Sequence, residues 1–143
     1  MKKTQMGWVF IILIPLVAAF NLIYFPELLI AISIVTTLFI VLLLFYKLSV
    51  EVDNSHVRFS FGIGLIKGKY LLKDINYCKA IKYMPLGWGI RFRPGAILYN
   101  VSGNKAIELS VKNKKLKVWI GTNAPDELAA YISSKLPKGR AEN

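Results

Sequence analysis

The side chains able to do chemistry are few and scattered. His56 is the single histidine and Cys78 the single cysteine among 143 residues. A zinc or transition-metal site built from several His, Cys or carboxylate ligands therefore has no spaced motif to start from. One cysteine allows no disulfide within the chain and fits a reducing compartment. It reads as a small buried thiol in a strand, and His56 as a surface residue near a turn. The eight carboxylates, Glu27, Glu51, Asp53, Asp74, Glu108, Asp126, Glu127 and Glu142, include no pair that stands out for general acid–base work. Glycines 62, 64 and 68 imitate a phosphate loop, but they lie between strand patterns and lack the Gly-Lys-Ser/Thr ending and the following helix. The chain reads as a non-enzyme, with no catalytic residue, no metal and no cofactor.

Basic charge is what points to a partner. From Leu48 onward there are 16 Lys and Arg against seven Asp and Glu. They fall in groups: Lys67, Lys69 and Lys73; Lys79 and Lys82; Arg91 and Arg93; Lys112, Lys114, Lys115 and Lys117. Beside an anionic leaflet each basic side chain gains about 1 kcal/mol, an effect that fades within a Debye length. Lys112 to Lys117 is the first choice for lipid contact and Lys67 with Lys69 the second. Arg91 and Arg93 share one strand face, with Ile90 and Phe92 on the other. The bland alternative for every group is a solvated surface. Nucleic acid is not an expected partner, because neither an aromatic–basic RNA-binding signature nor a recognition helix is present.

The elements that must position these charges begin with two apolar runs, Gly7 to Phe25 and Leu28 to Tyr46, each of 19 residues and separated by Pro26 and Glu27. A helix of that length covers roughly the 30 Å core of a bilayer. The second run carries no charge and 14 Leu, Ile, Val and Phe residues. The first is weakened by Asn21 and by Pro15, near which a kink is expected. So short a joint makes the two runs antiparallel neighbours in a transmembrane hairpin. Lys2 and Lys3 before the first run and Lys47 after the second place both termini in the cytoplasm by the positive-inside rule. Trp8 and Tyr46 are expected as interfacial anchors beside Lys47. A secretory signal peptide is the alternative for the first run, with Lys2 and Lys3 as its n-region and Val17 to Ala19 near a cleavage point; the rest of the chain could then face outward.

Beyond Tyr46 the pattern changes to period two. Leu48, Val50 and Val52, then Val57, Phe59 and Phe61, predict two strands joined at Asp53-Asn54-Ser55. Further strands are predicted at 69–72, 76–84, 90–93 and 96–101. Ser102-Gly103-Asn104 reads as a hairpin turn. Ile107, Leu109 and Val111 form one buried row, with Ala106, Glu108 and Ser110 opposite. Leu116, Val118 and Ile120 form another, with Trp119 out of phase and facing away from the main core. Trp88 is assigned to core packing. A final helix starts with Asn123 as N-cap, Pro125 in its first turn and Asp126 and Glu127 at its positive end. Leu128, Tyr131, Ile132 and Leu136 make its apolar stripe, and Pro137 and Gly139 stop it.

This order of elements, with GWGIR at Gly87 to Arg91 and AIELSVKNKKLKVWIGTNAPDELAAYI from Ala106 to Ile132, resembles small bacterial membrane proteins with two spans and a bacterial pleckstrin-homology-like (PH-like) domain. The resemblance implies two antiparallel sheets, roughly orthogonal, capped by the C-terminal helix. Phosphoinositide-binding PH domains carry basic residues around the first hairpin loop, whereas that loop here is Asp53-Asn54-Ser55 with Glu51 beside it.

The expected fold class is therefore an α+β membrane protein. Residues 1–47 form a two-helix transmembrane hairpin, and 48–143 a cytoplasmic PH-like antiparallel β domain of about seven strands with a C-terminal helix. The expected function is a non-enzymatic binding module on the inner face of a bacterial cytoplasmic membrane, for anionic lipid headgroups, a protein partner or a homo-oligomer. The alternative is an accessory subunit whose hairpin assembles with other membrane helices through Asn21, Ser33, Thr36 and Thr37.

Overall fold

In the computed structural model, which describes residues 1–24, 27–84 and 87–137, the two apolar runs are helices, α1 (Trp8–Tyr24) and α2 (Leu28–Phe45). Phe25 and Pro26, at the expected joint, lie outside the described residues. α1 is a single helix through Pro15. α2 is long and apolar enough to cross a membrane, with a mean hydropathy of 3.0 over 18 residues, whereas α1 has 17. The two pack together and bury little more than Ile14, Asn21 and Ala31. Large side chains such as Leu29 and Phe39 stay exposed. An apolar surface that extensive marks a contact with something other than water.

The helices are an insertion in a sheet. Lys2–Met6 is a strand, β1, and it pairs antiparallel with β2 (Lys47–Val52), Met6 opposite Lys47 and Lys2 opposite Glu51. The Gly7 amide donates to the Tyr46 carbonyl at 2.7 Å, so the ladder runs directly into the paired helix ends. Read as a charged flank, Lys2 and Lys3 conceal this strand because its inward positions are polar. Lys3 reaches Glu127, and Gln5, 2% exposed, donates to the Ser102 carbonyl and to Asn123 Oδ1.

β3 (His56–Phe61) and β4 (Lys67–Leu71) complete a four-stranded sheet in the order β1-β2-β3-β4. A short 3-10 turn at Leu72–Asp74 leads to the second sheet, built from β5 (Ile75–Lys82), β6 (Gly89–Arg93), β7 (Ala96–Asn100), β8 (Lys105–Val111) and β9 (Lys117–Gly121). Its order is β5-β8-β9-β7-β6. The expected hairpin at Ser102–Asn104 is corrected here: the chain turns, but β9 lies between β7 and β8 and runs parallel to β7. The second sheet thus departs from the all-antiparallel arrangement.

The last helix, α3 (Pro125–Lys135), packs on β5 and β8. Its N-cap is Ala124 and not Asn123, whose side chain is engaged by Gln5; the Thr122 hydroxyl accepts from the Ala124 amide instead. The core joins the inner faces of both sheets (Val50, Phe59, Phe61, Ile107, Leu109, Ile120) to Leu128 and Ile132 of α3. Two other expectations fail: Leu116 precedes β9 and is exposed, and Trp88 is 39% exposed and not core. The two faces of β8 divide as expected, with Ile107, Leu109 and Val111 in the main core and Ala106 and Glu108 on the second face, where Tyr77, Tyr83 and Trp119 bury them. Trp119 does face away from the main core, as its phase predicts. Gly139 lies outside the described residues.

Candidate functional site

Period-two alternation sends every second residue of β1 to β4 to the outer face of the first sheet. Cross-strand pairing lines up Lys2, Glu51, Arg58 and Lys69 in one row and Thr4, Ser49, Ser60 and Lys67 in the next. Together with Lys47 and the loop Gly62–Gly64, these rows, Thr4 excepted, line a cleft of about 680 Å³. Five cations (Lys2, Lys47, Arg58, Lys67, Lys69) and the hydroxyls of Ser49 and Ser60 meet one carboxylate there, Glu51. Among the described residues Lys2, Lys47, Lys67 and Lys69 form no ion pair. Arg58 is shared with Asp53, whose carboxylate accepts the amides of Ser55 and His56 at 2.7 Å each. The Ser55 amide above all, then the His56 amide and the Arg58 guanidinium, outweigh the carboxyl's partial desolvation and hold it down at about 2. Ammonium groups, a guanidinium and hydroxyls on one concave face are the donors that a phosphate-bearing anion requires.

The cleft lies at the helix ends. Lys47 begins β2 one residue past α2, and the β3–β4 loop lies over this junction: the Gly62 amide donates to the Lys47 carbonyl at 2.8 Å and the Ile63 amide to the Leu43 carbonyl in the last turn of α2 at 3.2 Å. The Gly62 bond extends the β2–β3 ladder by one step, and the Ile63 bond occupies a carbonyl that the helix end leaves without an intrahelical partner. Gly62 has φ +48°, and a Cβ there would collide with the Leu43 and Leu44 carbonyls, so only glycine lets the loop lie this close.

The other basic residues named from sequence lie elsewhere. Lys114 covers the Tyr70 ring at 4.8 Å. Tyr70 is opposite Val57, four residues along β3 from Phe61 and so about 13 Å from the helix end. Lys112 and Lys115 share that far turn, where Asn113 takes φ +63°. The Arg91 guanidinium lies against Gly87, and Arg93 donates to the Met84 carbonyl at 2.8 Å, so both hold the connection between β5 and β6. Trp8 is 61% exposed at the start of α1, and Lys47 Nζ lies 5.1 Å from the Tyr46 ring. The hydroxyls of Ser33 and Thr37 donate to the Ile30 and Ser33 carbonyls of their own helix.

Lys117 belongs to a different group. Glu108, 4% exposed, accepts from Tyr77 Oη at 2.8 Å, Trp119 Nε1 at 2.7 Å and Lys117 Nζ at 3.3 Å, with Lys79 at 3.4 Å. Burial alone would raise its carboxyl. The hydrogen bonds of Tyr77, Trp119 and Lys117 and the charge of Lys79 outweigh that and hold it below the ordinary range. Cys78 is buried and its thiol is pushed up to about 12 by desolvation. Among the described residues no three His, Cys, Asp or Glu side chains gather as a metal site would need.

Of the cleft, the sequence reading names Lys67 and Lys69 as lipid contacts and Lys47 as an interfacial residue. It misses Lys2, Ser49, Arg58 and Ser60. The alternation 49/51 and 58/60 was a usable signal, since it puts those residues on one face opposite the Val and Phe rows. No family model, curated protein or solved structure matches the chain.

Proposed function

We propose that this chain is a non-enzymatic module of a bacterial cytoplasmic membrane: α1 and α2 cross the bilayer as an antiparallel pair, both termini are cytoplasmic, and the β unit, PH-like in its two sheets and closing helix, lies on the inner face and receives an anionic lipid headgroup in the basic cleft. One observation carries this reading. Five cations against one carboxylate line a concave face directly beside the end of an apolar helix of spanning length. The joining of Gly7 to Tyr46 supports it, because it puts both helix ends on the same side, and the pairing of β1 with β2 favours a retained first segment over a cleaved leader. Since the helices already tether the module, headgroup binding would orient the β unit and select lipid composition rather than supply membrane affinity.

The test uses the full chain in nanodiscs of phosphatidylcholine and phosphatidylglycerol, with co-retained lipid counted by native mass spectrometry. Phosphatidylglycerol is enriched by the wild type. Replacing Lys67 and Lys69 with alanine removes about 2 kcal/mol of attraction, or about 30-fold in relative occupancy. Equal enrichment by both proteins would end the headgroup reading.

A further inference from the structure

The β3–β4 loop ends in two large apolar side chains with nothing over them: Ile63 is 57% and Leu65 72% exposed. Isolated exposed apolar residues are common on proteins. These two differ because their position relative to α2 is fixed by backbone bonds. The Ile63 amide is bonded to the carbonyl of Leu43, two residues inside the end of α2 and so about 3 Å of helical rise within it. The Gly64 amide closes the turn onto the Phe61 carbonyl at 2.7 Å, and glycines with positive φ at 62 and 64 allow the tight path. Lys47 and Lys67 flank the tip, long side chains whose ammonium groups can stay in water while their stems lie along apolar surface.

We infer that the loop Gly62–Leu65 is a lipid-inserting wedge: Ile63 and Leu65 enter the acyl boundary of the bilayer beside the last turn of α2. The occupant of this apolar tip is lipid rather than a protein, because hydrogen bonds make the tip continuous with the end of a helix that carries no charge on any face and whose last two turns, Phe39 to Phe45, are wholly apolar. Apolar side chains bounded by lysines at the level of a helix end are arranged as interfacial segments are. The same residues wall the cleft, since Gly62, Ile63 and Gly64 line it together with the lysines. A phospholipid whose phosphate occupies the cleft therefore has its chains running down past Ile63 along α2. This inference rests on α2 being a span, and the experiment separates the two.

Single cysteines are placed at Ile63, at Leu65, at Phe39 on the exposed surface of α2, and at Asn54 in the β2–β3 turn at the other end of those strands. The wild-type chain with its buried Cys78 sets the labelling background. An environment-sensitive fluorophore is attached in detergent, and each full-length chain is reconstituted into phosphatidylcholine–phosphatidylglycerol vesicles with brominated acyl chains. Loss of emission at 63 and 65 approaching that at 39, with none at 54, supports the wedge; bromines near the carbonyl region quench positions 63 and 65 more than bromines near the chain ends. Quenching at 39 with 63 and 65 no different from 54 overturns the wedge and leaves the span standing. Absence of quenching at 39 overturns the span, and the wedge with it.

Discussion

The outer faces of the two sheets both carry lysines on alternating strand positions, and they treat them in opposite ways. On the second sheet Lys79 and Lys117 converge on Glu108, which is buried under Tyr77 and Trp119 and fully engaged. On the first sheet Lys2, Lys47, Lys67 and Lys69 surround a cleft with Glu51 as its one acid, and none of them forms an ion pair among the described residues. One face satisfies its charge within the chain; the other leaves donors for something brought from outside. A cluster of lysines is therefore a candidate for binding only where the fold withholds the counter-charge.

The comparison breaks most readily at Glu108. Glu108→Ala leaves the Tyr77 hydroxyl and the Trp119 indole N–H without their acceptor, and unfolding of the full chain in detergent micelles, followed by tryptophan fluorescence in guanidinium chloride, is expected to lose about 3 kcal/mol. Phosphatidylglycerol enrichment per folded molecule stays unchanged. Ser60→Glu tests the opposite face. A carboxylate between Lys67 and Ser49 supplies the missing counter-charge, so enrichment falls about tenfold while stability moves by less than about 0.5 kcal/mol.

Acid sharpens the contrast further. Because the Glu108 carboxyl is held below its ordinary value of 4.5 in the fold, its contribution is complete above that value and disappears as pH falls through the lower folded one. The stability difference between the wild type and Glu108→Gln is thus expected to be flat near neutrality and to shrink progressively below about pH 4.5 in a series of denaturation curves. The smallest effect belongs to Glu51→Gln, which removes the one acid of the cleft and raises phosphatidylglycerol enrichment about two- to threefold, most clearly at low salt.

Much of the fold is legible in residues whose neighbours agree with one another. Val50, Val52, Val57, Phe59 and Phe61 alternate cleanly, and all are buried; Leu128 and Ile132 hold the helix stripe as spaced. What is hidden depends on contacts distant in sequence. β1 has a glutamine as its buried residue, so no apolar rhythm announces it, and β9 separates β7 from β8 although the turn between those two has hairpin chemistry. The site is half-legible for the same reason. Lys67 and Lys69 are visible as a pair, but their convergence with Lys2 requires β1 to cross back over the whole helical insertion. Glu108 passes for an ordinary strand acid, because its burial is created by Trp119 and Tyr77, which lie on strands either side of it.

The pairing of β1 with β2 also dictates an order of assembly. The ribosome delivers Lys2 to Met6 first, yet that strand has no partner until both greasy segments have been made and Lys47 to Val52 has followed them out. Closure of that sheet edge therefore waits on both helices, and the ladder then brings the two helix feet together. A fragment beginning at Leu48 would expose the naked edge of β2, an adhesive surface for other copies, and would lack Lys2 and Lys47 besides.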